Sequence, residues 1–295
     1  MGPPKISIKF HFLQALRAIA AWLVVVDHAL IDLTHGELPN RATSLAWALG
    51  DTGVYIFFVI SGFVMVHISW DDFGRLGAAP GFFRRRVIRI VPLYWLATIG
   101  ALAFHKVSTN DSAVAGWPEL LKSLLFIPYY DGKFGWAPIL RQGWTLNYEM
   151  MFYAIFALAL MLPRKMALPG IAAALSVFVS IRPLLPPGVL AYLSSPILLW
   201  FVLGMGIATF WRLHGLTEAK GLARSAKFFE PFGDASYSIY LVHGIALTML
   251  LRIWETPSAW FIPVGLVVAT GAGLGVHIMI EKPMLRAIAA SWKAP

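Results

Sequence analysis

Two residues inside a mostly apolar segment carry side chains suited to binding an anion and moving a proton. Arg17 and His28 stand eleven residues apart among Ala, Leu, Ile and Val. Eleven residues of α-helix turn through about 1100°, close to three full turns, and rise about 16 Å. We therefore predict that both side chains lie on one helix face at different depths. Asp27 precedes His28, but adjacent side chains diverge by about 100°, so we do not expect Asp27 to contact the imidazole.

A proton-transfer role suits the second of these residues, because imidazole ordinarily titrates near pH 6.5. In the structural alternative, Arg17 extends its guanidinium to a membrane surface and His28 only bonds a neighbouring helix. A charged group inside a membrane span costs about 2.5 kcal/mol or more. Two such polar groups on one face therefore favour a functional role over the structural one.

A cluster of arginines precedes the third apolar run of the chain. Arg85 and Arg89 are four residues apart and Arg86 and Arg89 are three apart, so each pair shares a helix face. Guanidinium groups bind phosphate oxygens in a bidentate manner, which suits the phosphates of coenzyme A. A plain cytoplasmic stop-transfer cluster explains the charge equally well, and spacing alone favours that alternative.

One acidic residue lies in an apolar run that begins at Trp144. A carboxylate at the position of Glu149 needs a compensating partner inside a membrane. We predict that it pairs with Arg17 or orients His28, and the alternative is a structural ion pair between helices.

A polar stripe lies in a later apolar run. Ser236, Tyr240 and His243 are spaced by four and three residues, so they share one helix face. They are predicted either to bond neighbouring helices, which spacing favours, or to line a substrate pocket.

The composition indicates an integral membrane protein. Of 295 residues, 58% are hydrophobic and only 13% are charged, about half the charged share of soluble proteins. The net charge of +9 comes mainly from short loops between apolar runs, which favours membrane topology over nucleic-acid binding. With no cysteine, disulfides and cysteine-based metal sites are excluded, and no histidine cluster has the spacing of a metal site.

The apolar runs predict an all-α, polytopic transmembrane helical bundle with eight spans, or up to ten. About 20 apolar residues cross a bilayer. Leu120–Tyr130 is a shorter run that is either a ninth span, a re-entrant segment or an interfacial helix. The eight spans are Phe12–Leu33, Leu45–Ser69, Val87–His105, Trp144–Leu162, Met166–Ile181, Ser195–Trp211, Ala235–Ile253 and Trp260–Ile280.

With eight spans, every basic cluster falls on one side of the membrane, which predicts that both termini are cytoplasmic. We find no internal repeat and treat residues 1–295 as a single transmembrane domain. The longest connection, residues 106–143, is rich in aromatic residues and is predicted to form a cap that contacts sugar. The basic residues are Lys5, Lys9, Arg75, Arg84, Arg85, Arg86, Arg89, Arg164, Lys165, Arg212, Lys220, Arg224, Lys227, Lys282, Arg286 and Lys293.

Several segments, taken together and in this order, resemble the motifs of the acyltransferase-3 family of membrane acyltransferases. The resemblance covers nearly the whole chain, from about Leu13 to Arg286, although the family usually has about ten spans. The segments are Leu16–Ala21 followed by Asp27 and His28, Phe57–Phe63, Arg86–Tyr94, Gly143–Tyr153, Ser236–His243 and Glu281–Pro283.

The resemblance implies an O-acyltransferase that moves a short acyl group, typically acetyl, from cytoplasmic acyl-CoA to a sugar or glycan. The chain is most similar to the exopolysaccharide acetyltransferase branch, which implies a multi-pass protein of a bacterial plasma (inner) membrane that contacts membrane lipid. It requires neither metal nor nucleic acid, and the oligomeric state stays open. The resemblance implies that Arg17 and His28 are catalytic and that Arg86 and Arg89 contact the CoA. We further predict Glu149 as a catalytic residue and Arg85 and Arg17 as CoA-binding residues. The residues predicted to bind substrate are Tyr240, His243, Ser61 and Trp144.

Two other functions are compatible with the residues alone. Intramembrane Arg, His and Glu also suit a proton-coupled transporter or flippase of a glycan-related substrate. A structural subunit of a polysaccharide export complex would require none of these side chains. For the enzyme, His28 either deprotonates the sugar hydroxyl or carries the acyl group transiently.

Overall fold

The described part of the chain is helical. The computed structural model describes residues 10–33, 40–109, 116–132, 135–219, 224–254 and 258–291. Within these residues the only β pairing is a bridge between Tyr130 and Trp136, which confirms the all-α class. The helices are α1 (His11–Leu33), α2 (Asn40–Ser69), α3 (Ala78–Thr109), α4 (Trp117–Leu124), α5 (Trp144–Ala159), α6 (Arg164–Ser180), α7 (Val189–Leu193), α8 (Leu198–Leu213), α9 (Glu230–Asp234), α10 (Ser236–Ile253), α11 (Phe261–Val276) and α12 (Lys282–Ser291), with a π-helical turn, His277–Glu281, between the last two.

Several of these helices are long and apolar enough to cross a membrane. Within the described residues, five segments meet that requirement by length and composition. Helices α5 and α6, with 16 and 17 residues, are shorter than these five. The five segments are Ser44–Ser69, Ala78–His105, Val189–Leu213, Ser236–Ile253 and Phe261–Ser291.

The segment Leu120–Tyr130 does not form a spanning helix. Helix α4 has eight residues, so it rises about 12 Å, whereas the hydrocarbon core is about 30 Å thick. Soon after it, Phe126 has a φ of 58°, a left-handed conformation that interrupts helix. Tyr94 of α3 donates a hydrogen bond to the Ser123 carbonyl oxygen at 3.1 Å, which ties α4 to the end of the bundle.

Helix α1 is the central element around which the bundle packs. It runs antiparallel to α2, because the Phe10 and His67 rings lie 4.9 Å apart near one end while Asp27 lies against Gly50 near the other. It also packs on α9, α10 and α11. Polar residues of α1 are therefore held between several helices.

Glycines allow α2 and α8 to approach closely. A Cβ atom at Gly62 would overlap the Phe201 carbonyl oxygen, and one at Gly204 would overlap the Val59 carbonyl oxygen. Small residues let helix backbones pack together in membranes, where the hydrophobic effect contributes little to helix association. This contact fixes α2, and with it one wall of the cavity described below.

Basic side chains gather at one end of the bundle. Arg164 donates to the Trp70 carbonyl oxygen at 3.0 Å and lies 3.9 Å above its ring. Arg212 approaches Asp71 at 3.5 Å. The loops after α2, before α6 and after α8 thus share one end. Four of the basic residues that predict the topology, Lys5, Lys9, Lys220 and Lys293, lie outside the described residues.

Helix α3 begins earlier than the apolar pattern predicts. Its first residue is Ala78 rather than Val87, so the arginine cluster lies within the helix instead of in front of it. The prediction relied on apolar residues alone. Arginine has a high helix propensity and a long aliphatic stem, so a helix continues through such a cluster when the charged ends reach polar surroundings.

Candidate active site

A cavity that opens to solvent lies between α1, α2, α3, α5 and α10, and its space free of protein atoms, with the open mouth included, is about 850 Å³. Four charged side chains line it: Arg17 of α1, Arg86 and Arg89 of α3, and Glu149 of α5. The rest of the wall is apolar or carries hydroxyl groups. The hydroxyl-bearing residues are Ser61, Thr145, Tyr153, Tyr237 and Tyr240.

Arg17 is fixed in the cavity wall by α10. Its Nε donates a hydrogen bond to Ser236 Oγ at 3.1 Å. Because Nε is bonded sideways to α10, the guanidinium plane is held in one orientation and its two terminal nitrogens remain as donors. The first helix therefore presents a positioned cation to the cavity.

The arginine cluster of α3 divides into two pairs. Arg86 and Arg89 line the cavity, and the Arg86 guanidinium lies 5.6 Å from the centre of the Phe82 ring. Arg84 and Arg85 are exposed and are not part of the cavity wall. Of the two predicted pairs, Arg86 with Arg89 lies entirely in the cavity wall, whereas Arg85 with Arg89 does not.

Glu149 is bound within the same cavity wall. Tyr153, one turn later on α5, donates its hydroxyl proton to Glu149 Oε1, and Ser61 Oγ of α2 donates to the same oxygen at 3.4 Å. Arg17 and Arg86 act on the carboxylate electrostatically. Glu149 therefore shares the cavity wall with Arg17. The hydrogen bonds found for Glu149 among the described residues do not include one to His28.

Tyr240 forms one wall of the cavity and is anchored to the start of α5. Its hydroxyl donates to the Gln142 carbonyl oxygen at 2.8 Å and lies 2.9 Å from Thr145 Oγ1. The Phe57 ring packs edge-on to it with centroids 5.8 Å apart. These contacts hold the phenol ring between the cavity and the next turn of α10.

His243 continues from Tyr240 along α10 and is fully buried, with 0% exposure. Its Nδ1 lies 2.7 Å from the Tyr240 carbonyl oxygen. Its ring packs edge-on against the His28 ring, with centroids 4.7 Å apart. Residues of α10 thus connect the cavity with His28.

His28 lies outside the cavity wall, and 43% of its side chain is exposed. Its Nδ1 is 3.0 Å from the Val24 carbonyl oxygen and 3.2 Å from Asp27 Oδ2. The expectation that Asp27 does not contact the imidazole is therefore wrong. Adjacent Cβ atoms diverge on a helix, but Nδ1 is the ring nitrogen nearer the backbone, and the short carboxylate reaches it along the helix surface.

The other residues predicted to bind substrate are placed differently from one another. Ser61 lies in the cavity, whereas Trp144 lies outside its wall, with its ring 6.0 Å from the Tyr148 ring. Sequence reasoning missed Thr145 and Tyr237. Thr145 precedes Glu149 by four residues, so helical periodicity was a signal that it shares the face of Glu149.

The charge of the cavity suits an anionic ligand. Three arginines and one glutamate leave two uncompensated positive charges at the wall. Arginine binds phosphate through paired hydrogen bonds, and the apolar surroundings strengthen such contacts. Among the described residues no group of His, Asp and Glu is arranged to hold a metal ion.

Comparison with known proteins gives a family match. The model of a family described as "Acyltransferase domain" matches residues 10–229. The "Exopolysaccharide production protein ExoZ" of Rhizobium meliloti (strain 1021) is 32% identical, over 81% of this chain and 91% of the relative. The "Acyltransferase MdmB" of Streptomyces mycarofaciens is 24% identical, over 96% and 93% of the two chains.

A third relative, "Nodulation protein 10" of Rhizobium leguminosarum bv. viciae, is 27% identical over 51% of this chain and 44% of its own length. No solved structure matches the chain. The family model covers every residue of the cavity wall except the two tyrosines of α10. This chain belongs to the acyltransferase-3 family of membrane acyltransferases.

Proposed function

We propose that the protein is a membrane-embedded O-acyltransferase that moves an acetyl group from acetyl-CoA, or another short acyl group from its CoA thioester, to a hydroxyl of a polysaccharide or lipid-linked sugar. The observation that carries this proposal is a positively charged cavity that is connected to His28 through Tyr240 and His243. Family membership favours acyl transfer over proton-coupled transport and over a purely structural role.

The donor would bind with its phosphates at Arg86 and Arg89. Both arginines line the cavity near the bundle end at which basic loops gather, and that end is cytoplasmic by the positive-inside rule. Arg17 lies deeper and is held by Ser236, so it would guide the thioester end. The flexible pantetheine arm would then extend past Tyr240 toward His28. Arg85 is exposed, which leaves it at most a role at the entrance.

The chemical step at His28 has two forms. In direct transfer, Nε2 takes the proton of the sugar hydroxyl, the oxygen attacks the thioester carbon, the C–S bond breaks and the proton passes to the CoA thiolate. In the two-step form, Nε2 itself attacks the thioester carbon, the C–S bond breaks and CoA leaves as the thiolate. The sugar oxygen then attacks the acyl carbon, the bond from that carbon to Nε2 breaks, and the hydroxyl proton ends on the CoA thiolate. The 43% exposure of the His28 side chain supports access by the acceptor.

The acceptor would be a sugar. The printed names of the relatives refer to exopolysaccharide production and nodulation, which supports a glycan as substrate. An aromatic cluster lies near the start of α5, where the Trp136 and Tyr192 rings stack at 5.1 Å and the Tyr148 and Tyr192 rings are 5.0 Å apart. Aromatic faces suit contact with the apolar faces of sugar rings, so this cluster is the proposed acceptor platform.

The topology that fits this function has eight spans and both termini in the cytoplasm. Helices α1, α2, α3, α5, α6, α8, α10 and α11 would cross the bacterial inner membrane, with residues 1–295 as one domain. Clustering of the loops that hold Arg164 and Arg212 at one end supports an even number of crossings. The donor would then enter from the cytoplasm and the acceptor from the opposite side.

Acyl transfer in inside-out membrane vesicles tests the proposal. Vesicles with wild-type protein, His28→Gln or His214→Gln receive acetyl-labelled CoA and a glycan extract at matched expression. His214 is an exposed histidine at the end of α8 and serves as the matched control. Label is expected in glycan with wild type and His214→Gln but not with His28→Gln.

Two results would overturn the proposal. One is label transfer by His28→Gln at the wild-type rate. The other is no transfer by wild type together with no thermal stabilisation of the purified protein by CoA, because a ligand that binds only the folded protein raises its apparent stability.

A further inference from the structure

The hydrogen-bond partners of His28 determine which ring nitrogen carries the proton. Nδ1 lies 3.0 Å from the Val24 carbonyl oxygen and 3.2 Å from Asp27 Oδ2. A carbonyl oxygen and an ionised carboxylate only accept hydrogen bonds. Nδ1 is therefore assigned the proton, and in the neutral imidazole the free lone pair is on Nε2.

The Asp27 carboxylate is held firmly beside that nitrogen. Asp27 is 7% exposed, and a Cβ atom at Gly50 would overlap its carboxylate. The absence of a side chain at Gly50 thus creates the space that the carboxylate fills between α1 and α2. Its Oδ2 is the oxygen that contacts Nδ1 of His28. Its Oδ1 has no hydrogen-bond partner among the described residues.

His243 restricts the imidazole from another side. The two rings are edge-on at 4.7 Å, and His243 is itself fixed by its 2.7 Å contact with the Tyr240 carbonyl oxygen. The His28 ring is therefore confined between α1's own carboxylate and a buried ring of α10, while 43% of its side chain stays exposed. A confined ring on a side chain that stays partly exposed is the arrangement that a base or nucleophile requires.

We propose that Asp27 is the positioning residue for His28, an inference that rests on the proposed acyl transfer. The carboxylate holds the Nδ1 proton, so that Nε2 presents its lone pair to the reacting group. When Nε2 takes the hydroxyl proton, the ring becomes an imidazolium whose charge the carboxylate compensates, and the proton then leaves to the CoA thiolate. Asp27 itself stays ionised throughout.

The reactivity of His28 tests this positioning without any acyl-transfer assay. Diethyl pyrocarbonate forms a bond between a free imidazole nitrogen and an ethoxycarbonyl group, with release of ethanol and carbon dioxide. The rate is measured at His28 by mass spectrometry of the purified protein. His214 is an internal reference, because its Nδ1 has the same contact with the carbonyl oxygen four residues earlier, 2.9 Å from Phe210, and no carboxylate contact is found for it among the described residues.

Asp27→Asn is expected to lower the His28 rate relative to His214 by about 10-fold or more. The asparagine amide can donate to Nδ1, which moves the proton to Nε2 and removes its lone pair. Glu119→Gln, an acidic position in the first turn of α4, is the control and should leave the ratio unchanged. An unchanged ratio in Asp27→Asn protein that still unfolds at the wild-type temperature would overturn the proposal.

Acyl transfer then tests whether the positioning matters for turnover. Asp27→Asn should lower kcat by up to about 10⁴-fold, the loss found when the carboxylate behind a catalytic histidine becomes asparagine, with KM for acyl-CoA changed less than about 2-fold.

The outcomes separate this proposal from the proposed function. Loss of acyl transfer by Asp27→Asn with an unchanged His28 to His214 ratio would mean that Asp27 is only structural, which overturns the positioning role. Absence of acyl transfer by the wild type would instead count against the proposed function, and the His28 to His214 ratio would still decide whether Asp27 positions the ring.

Discussion

The imidazole rings of His28 and His243 lie edge-on with centroids 4.7 Å apart, although they belong to α1 and α10. His243 is bonded to the Tyr240 backbone, and the Tyr240 side chain lines the charged cavity. A short series of contacts on α10 therefore links the cavity to the exposed histidine. The proposed donor-binding site, which is the cavity, and the proposed site of chemistry, which is His28, are therefore distinct but connected.

Replacement of His243 tests that link. His243→Phe keeps a planar ring beside His28 but loses the Nδ1 contact with Tyr240, so the His28 ring gains freedom. Acyl transfer is expected to fall on the order of 10-fold, whereas CoA binding should be unchanged. Isothermal titration with CoA and the vesicle assay measure the two quantities. Loss of CoA binding in a stably folded variant would place His243 in the donor site instead.

The two faces of the arginine cluster should differ in donor binding. Arg89→Gln removes a cation from the cavity and is expected to weaken CoA binding on the order of 10-fold. Arg84→Gln changes an exposed arginine of the same helix and should weaken it less than about 2-fold. The dissociation constants are measured at low and moderate salt. Equal effects of the two variants would mean that the cluster acts only through its overall charge.

Glu149 offsets part of the positive charge in the cavity. Glu149→Gln keeps a side chain that can accept from Tyr153 but leaves three arginines without an anion. The free protein should therefore lose about 1–3 kcal/mol of stability, and CoA, which supplies negative charge, should raise the unfolding temperature of the variant more than that of wild type. A thermal scan with and without CoA measures both. An equal or smaller CoA shift in the variant would contradict this electrostatic role.

The glycine contact between α2 and α8 should be essential for stability. Gly204→Ala places a Cβ atom against the Val59 carbonyl oxygen, and such overpacking costs about 1–3 kcal/mol. Gly206→Ala is a matched control on the same helix, because nothing lies within 4 Å of its Cβ position. That variant should be neutral or gain up to about 1 kcal/mol of helix propensity. Unfolding in detergent compares the two, and equal stability would rule out a tight contact at Gly204.

Much of the helical architecture follows from the sequence pattern. Long apolar runs predict membrane helices because unpaired backbone groups are too costly in lipid. Helical periodicity places Arg17 and His28 on one face, and both contact α10, through Ser236 and His243. The start of α3 is harder to predict, because the apolar pattern leaves out the arginines that lie within its first turns.

The composition of the candidate site depends on which helix faces which, and sequence periodicity does not contain that information. The packing of α1 against α2 places the Asp27 carboxylate, which contacts His28, against Gly50. The packing of α3 and α5 with α1 places Glu149 in the cavity that Arg17 lines. Periodicity determines the residues that share a face of one helix. The opposing face is selected by close backbone approach at small residues and by pairing of buried polar groups, and both of these arise only in the folded bundle.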